Sequence, residues 1–317
     1  MVPAFFIHFF AASLRYKHSS KSLATSITQE YSMSENRKTV VITGASSGIG
    51  RACASLMSSG GWLVFATVRK TGDRDRLRSE NVYPVIMDVQ DASTVSAAAE
   101  EVASQLDGSG LDGLVNVAGI GMVRPIEYAP MADVREIFEI NCFGQLATIQ
   151  AFSALVRKKR GRIVNITTVG VNLAIPFGGL LNSSKSAFAM LSDTLRLELR
   201  PFGVRVIAVE PGSISTPAVD KTLGNLEEVI SRLPAEAQQR YGEMIRSVGR
   251  RGLEMEKNGS SPDVVATTVL RALTSSRPRI RYRVGKHARL LASLPRILPE
   301  SLFDSIRLKM LGLTQSA

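Results

Sequence analysis

The chain has 317 residues, 44% apolar and 21% charged, enough for one large core and too few for two enzyme-sized domains. Its two cysteines, Cys53 and Cys142, show no CxxC or Cys/His spacing. That argues against a disulfide scaffold or a metal site and suits a reducing intracellular compartment such as the cytoplasm. The net charge of +11 is uneven: from Arg277 onward nine basic residues meet only Glu300 and Asp304. The basic balance therefore belongs largely to a tail and gives no ground for a nucleic-acid function of the core.

Residues 1–34 read as a leader outside the fold. Val2 to Leu14 is apolar, Arg15, Lys17 and Lys21 follow, and no acid precedes Glu30. The apolar run is too short to span a bilayer, and its charges lie on the wrong side for a secretory signal. A mitochondrial presequence, a membrane-surface anchor and a start site placed too early (Met33 stands just before the first strand) all fit.

In chain order, Lys38–Thr43 is a short β-branched strand, and Gly48–Ser59 has helical apolar spacing. Trp62–Thr67 is a second strand, Asp73–Ser79 a polar helix, and Val82–Met87 a third strand. Asp91 is placed to cap a helix running to Leu106. Leu111–Val117 is a fourth strand, Met131–Arg157 one long helix, and Arg162–Thr167 a fifth strand. Leu180–Arg200 is a helix ended by Pro201 and Gly203, followed by a strand at Val204–Val209. Ile214 to Gly252 reads as irregular with amphipathic pieces. Pro262–Leu273 is a helix, and Arg279–Val284 reads as a seventh strand. Strands alternating with helices predict one α/β domain over 35–275, a doubly wound, mostly parallel Rossmann sheet with helices on both faces. The irregular segment at about 214–255 and a basic extension at 276–317 complete the expected organisation. In the extension, Ala288 to Leu311 mixes apolar residues with Arg289, Arg296, Arg307 and Lys309, and Pro295 and Pro299 are expected to break it. A solvated helix face, a subunit contact and peripheral contact with a membrane surface are the readings of this tail.

Thr43-Gly44-Ala45-Ser46-Ser47-Gly48-Ile49-Gly50 lies between the first strand and the first helix. A tight turn there lets the backbone approach a pyrophosphate, and the helix N-terminus supplies free N–H donors. Three residues separate the first two glycines. With Asn116-Val117-Ala118-Gly119, Asn141 in EINCFG, Lys185 in NSSKSA and Pro211-Gly212 with Thr216, this resembles the short-chain dehydrogenase/reductase family over Lys38–Leu273, in particular members acting on steroids, retinoids and other lipophilic alcohols or carbonyls.

The resemblance implies a nicotinamide dinucleotide held by Gly44, Ser46, Ser47, Gly48, Ile49 and Gly50. Further along it implies Asp88, Val89, Asn116, Ala118, Gly119, Lys185, Pro211, Gly212, Ile214 and Thr216. The second strand ends Ala66-Thr67-Val68-Arg69-Lys70, with no acid for a ribose 2′-hydroxyl and with Arg69 able to pair a 2′-phosphate. NADP(H) is therefore expected over NAD(H).

The family's proton donor is a tyrosine four residues before the lysine, with a serine thirteen residues before the tyrosine. Here those positions are Leu181 and Thr168, and Ile175–Lys185 contains no tyrosine. The expected catalytic set is therefore Thr168, Lys185 and Asn141, with no proton on Leu181 to give. Tyr241, in the segment at about 214–255 that the resemblance implies is a substrate lid, and Tyr128 are the candidates to replace it, and a water held by Thr168 and Lys185 is another. The expected function is an NADP(H)-dependent oxidoreductase acting on a small lipophilic carbonyl, alcohol or imine with non-standard proton transfer. The stretch Leu173–Phe177 would line an apolar pocket, and the family resemblance implies a homo-oligomer. The alternatives are a dinucleotide-binding sensor or scaffold without turnover, and an isomerase or cyclase on the same fold.

Overall fold

A computed structural model describes residues 37–313, so the leader lies outside the described residues. Seven strands form one parallel sheet in the order β3-β2-β1-β4-β5-β6-β7. They are β1 Thr39–Ile42, β2 Leu63–Val68, β3 Val82–Ile86, β4 Gly113–Asn116, β5 Arg162–Ile166, β6 Arg205–Pro211 and β7 Arg281–Val284. β1, β2 and β4 are buried throughout, as expected for a parallel sheet covered on both faces. The chain runs outward through β2 and β3, then returns to lay β4 on the free side of β1. That reversal opens a crevice at the carboxyl ends of β1 and β4, where open α/β sheets bind ligands.

Helices α1 (Gly48–Ser59), α2 (Thr71–Leu77) and α3 (Ala92–Gln105) follow the first three strands. Asp91 caps α3 through the backbone amides of Ser93 and Thr94, as its position predicted. The helix expected over 131–157 is divided: α4 (Met131–Phe138) and α5 (Gly144–Lys158) flank a π-helical turn at Glu139–Phe143. The apolar pattern continues across the join, so sequence shows no boundary there. The wider turn rotates Asn141 into the interior, where it is fully buried. α6 (Gly179–Glu198) carries Lys185.

The segment read as irregular is mostly helical: α7 (Pro217–Leu223), α8 (Leu226–Ser231) and α9 (Ala235–Lys257). Its many charges obscured a narrow apolar stripe that includes Ile245 and Val248. These pack with Val123, Phe177, Ile230, Leu233 and Ala237 in a core separate from the main one. α10 (Pro262–Thr274) joins α1 on one sheet face, against Val40, Ile42, Val64 and Val115.

β7 completes the sheet from within the segment after residue 275. Two last helices follow, α11 (Ala288–Ile297) and α12 (Glu300–Met310). Pro299 separates them, as expected. Pro295 lies inside α11 and does not break it, because only a short stub of helix follows the hydrogen bond it removes. No described helix is long and apolar enough to cross a membrane.

Candidate active site

The loop after β1 is held in shape from several sides. Thr43 is fully buried, and its hydroxyl accepts from the amides of Val117 (2.8 Å) and Ala118 (3.0 Å). The ends of β1 and β4 are thus joined at the crevice. Gly44 (φ +63°) and Gly48 (φ +53°) adopt left-handed backbone that side chains disfavour. A Cβ on Gly50 would lie 2.3 Å from the Gly44 carbonyl oxygen. A Cβ on Gly48 would meet Thr216 at 3.3 Å, so the segment after β6 leans on the loop after β1. Ser47 stands at the N-terminus of α1 without a side-chain cap, and the first turn holds no acid. Ser46 and Ser47 are exposed, and Ile49 is half-buried. An uncapped helix start behind a turn with no room for side chains is suited to a pyrophosphate.

Arg69 is exposed at the end of β2, with no acidic partner among the described residues. Asp88 closes the turn after β3 by accepting from the Gln90 amide at 3.1 Å. Val89 is buried beneath Gly144, whose missing side chain admits the Val89 carbonyl. Asn116 donates to Asn165 (2.8 Å), and Asn165 donates to Ser192 (2.8 Å), tying β4 to β5 and α6. The Oδ1 of Asn116 is buried with no partner among the described residues.

Gly119, Asn141 and Lys185 converge. A Cβ on Gly119 would stand 3.0 Å from Asn141 Oδ1 and 3.1 Å from Lys185 Nζ. Asn141 accepts from the Ile120 amide (2.9 Å) and donates to the Ile120 carbonyl (3.0 Å) and to Ser184 Oγ (3.1 Å). Gln145, which the sequence reading missed, donates to the Ala118 carbonyl at 2.8 Å and steadies the same turn. No motif marks it.

Lys185 is 7% exposed, and its Nζ donates to the Ile166 carbonyl at 3.1 Å. Burial pulls its pKa down to about 8; nearby Cys142 acts weakly in the opposite sense. Thr168 is half-buried at the end of β5, its Oγ1 accepting from the Gly170 amide at 3.1 Å. Leu181 is half-buried one turn before Lys185 on α6.

Tyr241 does not fill the gap at Leu181. Its hydroxyl donates to Glu127 at 2.6 Å, and its ring meets Tyr128 and Phe177 edge-on. Thr168, Leu181 and Lys185 are not among its partners. Tyr128 shares the same wall. Leu173–Phe177 does line an apolar cavity, of about 600 Å³. That cavity opens on the flank of α6 bearing Asn182, Ser183 and Ser186, and is bounded by Asp304, Arg307 and Leu308 of α12. None of Thr168, Leu181 and Lys185 lines it.

Beyond β6, Gly212 has no room for a side chain against the Lys286 carbonyl. Pro211 is buried at the end of β6. Ile214 is buried, and its amide donates to Glu256 Oε2 at 3.1 Å. Burial holds the Glu256 carboxyl above the usual carboxylate range. Sequence gave no signal for Glu256, one of several acids on a charged helix.

The phosphate loop, the Gly119–Asn141–Lys185 cluster and Thr216 against Gly48 surround one crevice at the switch point of the sheet. The short-chain dehydrogenase family model matches residues 38–226. The chain belongs to the short-chain dehydrogenase/reductase family. It is 36% identical over 280 residues to the short-chain dehydrogenase ptmH of Penicillium ochrochloron, covering 88% of this chain and 99% of that one. It is 34% identical to human retinol dehydrogenase 5, covering 84% of this chain and 86% of that one. A short-chain dehydrogenase structure from Streptomyces avermitilis superposes with a TM-score of 0.67 at 25% identity, covering 88% and 96% of the two chains. Members of this family are oxidoreductases that bind a nicotinamide dinucleotide. The cradle of glycines, the uncapped start of α1 and the buried lysine fit that group.

Proposed function

We propose that this protein is an NADP(H)-dependent oxidoreductase acting on a small lipophilic carbonyl, alcohol or imine, with proton transfer that does not use a tyrosine. One observation carries the reading: the lysine, asparagine and glycine cluster is assembled around Lys185, while the helix position one turn before it holds Leu181. The bound dinucleotide supplies or accepts the hydride. Gly44, Ser46, Ser47, Gly48, Ile49 and Gly50 would hold its pyrophosphate, and Asp88, Val89, Asn116, Ala118 and Gly119 would hold the rest of it. Pro211, Gly212, Ile214 and Thr216 would hold it from the segment after β6. Asn141 orients the loop at Ile120, and Lys185 holds the ribose.

With a pKa of about 8, Lys185 is mostly protonated at neutral pH and sits close to its titration point. Thr168 offers a hydroxyl to the substrate oxygen, and a water between Thr168 and Lys185 is the proton carrier for a carbonyl. A protonated imine needs no such donor, which makes it the substrate class best matched to Leu181. The apolar lid around Val123, Phe177, Ile230 and Val248 supports a lipophilic substrate. Arg69, exposed and without an acidic partner, supports a 2′-phosphate. Met190 and Leu197, exposed seven residues apart on α6, support assembly of copies through that helix.

The test is to compare NADPH and NADH binding, then ketone and imine reduction, in the wild type and in Leu181→Tyr. NADPH should bind more tightly by about 10-fold or more, the worth of one charge-assisted contact. Leu181→Tyr should speed ketone reduction by about 10²-fold or more, the scale of a positioned general acid. It should leave imine reduction nearly unchanged. A wild type that reduces ketones rapidly and is slowed by tyrosine would refute the proton-transfer reading. A protein that binds dinucleotide and turns over no substrate in either form would favour a sensor or scaffold.

A further inference from the structure

A groove away from the crevice, between α10, β7 and α11, has a volume of about 970 Å³. Its lining includes Arg271, Arg277, Arg279, Arg281, Arg283 and Arg289, and no acidic residue. The sequence explains the clustering. Arg281 and Arg283 are two apart on strand β7 and so face the same side, and Arg277 and Arg279 lie in the short segment that leads into it. β7 is the edge strand, paired only with β6.

Two of these arginines are neutralised within the fold. Arg281 pairs with Glu210 and with Asp193 (2.6 Å), and Arg283 pairs with Glu210 at 3.1 Å. Glu210 is 1% exposed, so these pairs anchor β7 to β6. Arg271, Arg277, Arg279 and Arg289 are exposed and have no acidic partner among the described residues. Four uncompensated guanidinium groups around one groove repel one another unless an anion joins them. Their planar forks suit phosphate oxygens.

The rim of the groove decides which anion. Leu290 lines the groove and is exposed, and exposed Ile297 stands seven residues further along on the same face of α11. A soluble polyphosphate would use the guanidinium groups and leave these aliphatic side chains in water. A second copy docked about a twofold axis would bring this arginine row against its own image. A surface with phosphates outside and acyl chains beneath uses both features. We propose that the arginine groove between α10, β7 and α11 receives the phosphate headgroups of an anionic lipid surface, with Leu290 and Ile297 entering the acyl boundary. This proposal is independent of the chemistry assigned to the crevice.

The test is co-sedimentation of the full chain with vesicles of phosphatidylcholine alone and of phosphatidylcholine mixed with phosphatidylserine. Three proteins are compared: the wild type, a groove variant (Arg277→Glu, Arg279→Glu, Arg289→Glu) and a control variant with the same charge change at exposed sites elsewhere (Arg157→Glu, Lys158→Glu, Arg200→Glu). Unchanged dinucleotide affinity confirms that each is folded. The wild type and the control should sediment with the anionic vesicles only. The groove variant should partition about 100-fold or more weakly, since each basic residue near such a surface contributes about a factor of five. A fourth protein, Leu290→Ser with Ile297→Ser, should also lose vesicle binding while keeping any affinity for soluble inositol hexakisphosphate. The proposal is overturned if the wild type ignores anionic vesicles, if the control loses as much binding as the groove variant, or if vesicle binding survives the groove reversal. Tight binding of inositol hexakisphosphate without vesicle association would assign the groove to a soluble phosphate and overturn the lipid source.

Discussion

Replacing Lys185 with methionine should remove one well-defined component from the pH dependence of stability. The ammonium is buried, and burial pulls its pKa from 10.5 to about 8. In the unfolded chain the same group takes up its proton near the higher value. Between the two values the unfolded state therefore binds more protons, and stability rises with pH. The group carries no penalty above the unfolded pKa, loses stability as pH falls, and reaches its full cost below about 8. Lowering the pKa from 10.5 to about 8 corresponds to about 3 kcal/mol. Methionine keeps the length and apolar contacts of the side chain without the charge. It leaves the Ile166 carbonyl without its donor, a cost of about 1–3 kcal/mol that does not vary with pH. Urea denaturation without dinucleotide, at about pH 7.5 and about pH 10.5, reads the difference. The wild type should gain about 3 kcal/mol relative to the variant across that interval. A difference constant with pH would show that Lys185 is solvated in the folded protein, and the argument for a proton-poised lysine would fail.

Two further substitutions probe the site. Gly50→Ala places a Cβ 2.3 Å from a backbone oxygen; it should abolish dinucleotide binding in a fluorescence titration, and binding within a few-fold of wild type would show that the loop relaxes freely. Tyr241→Phe removes a hydroxyl bonded to Glu127; reduction rates should change by about twofold at most, as for a surface-exposed hydrogen bond. A 10²-fold drop would make Tyr241 the missing proton donor.

Local patterns were legible wherever one residue type answers one physical need. Gly44, Gly48 and Gly50 are spaced for a turn that tolerates no side chains, and the structure gives each a reason of conformation or space. Asp91 announced a helix start and caps it. The π-turn at Asn141 was invisible because it changes how far the helix rotates without interrupting the apolar pattern. α9 was hidden because its charges outnumber its buried positions. Glu256 could not be distinguished from its acidic neighbours until the fold brought the Ile214 amide to it.

The sequence alone determined that this chain builds a parallel sheet with a glycine-rich turn after its first strand and that Leu181 stands four residues before Lys185, because strand periodicity, glycine spacing and residue identity are local properties. Only the tertiary structure decided that Tyr241 is bonded to Glu127, that Leu173–Phe177 borders a cavity on another flank of α6, and that four arginines surround one groove without acidic partners among the described residues. Those outcomes depend on which distant segments meet: α9 against Tyr128 and Phe177, α12 against the loop after β5, and the edge strand beside α10 and α11. Contacts between residues far apart in the chain leave no periodic trace in sequence, so their partners appear only when the chain folds.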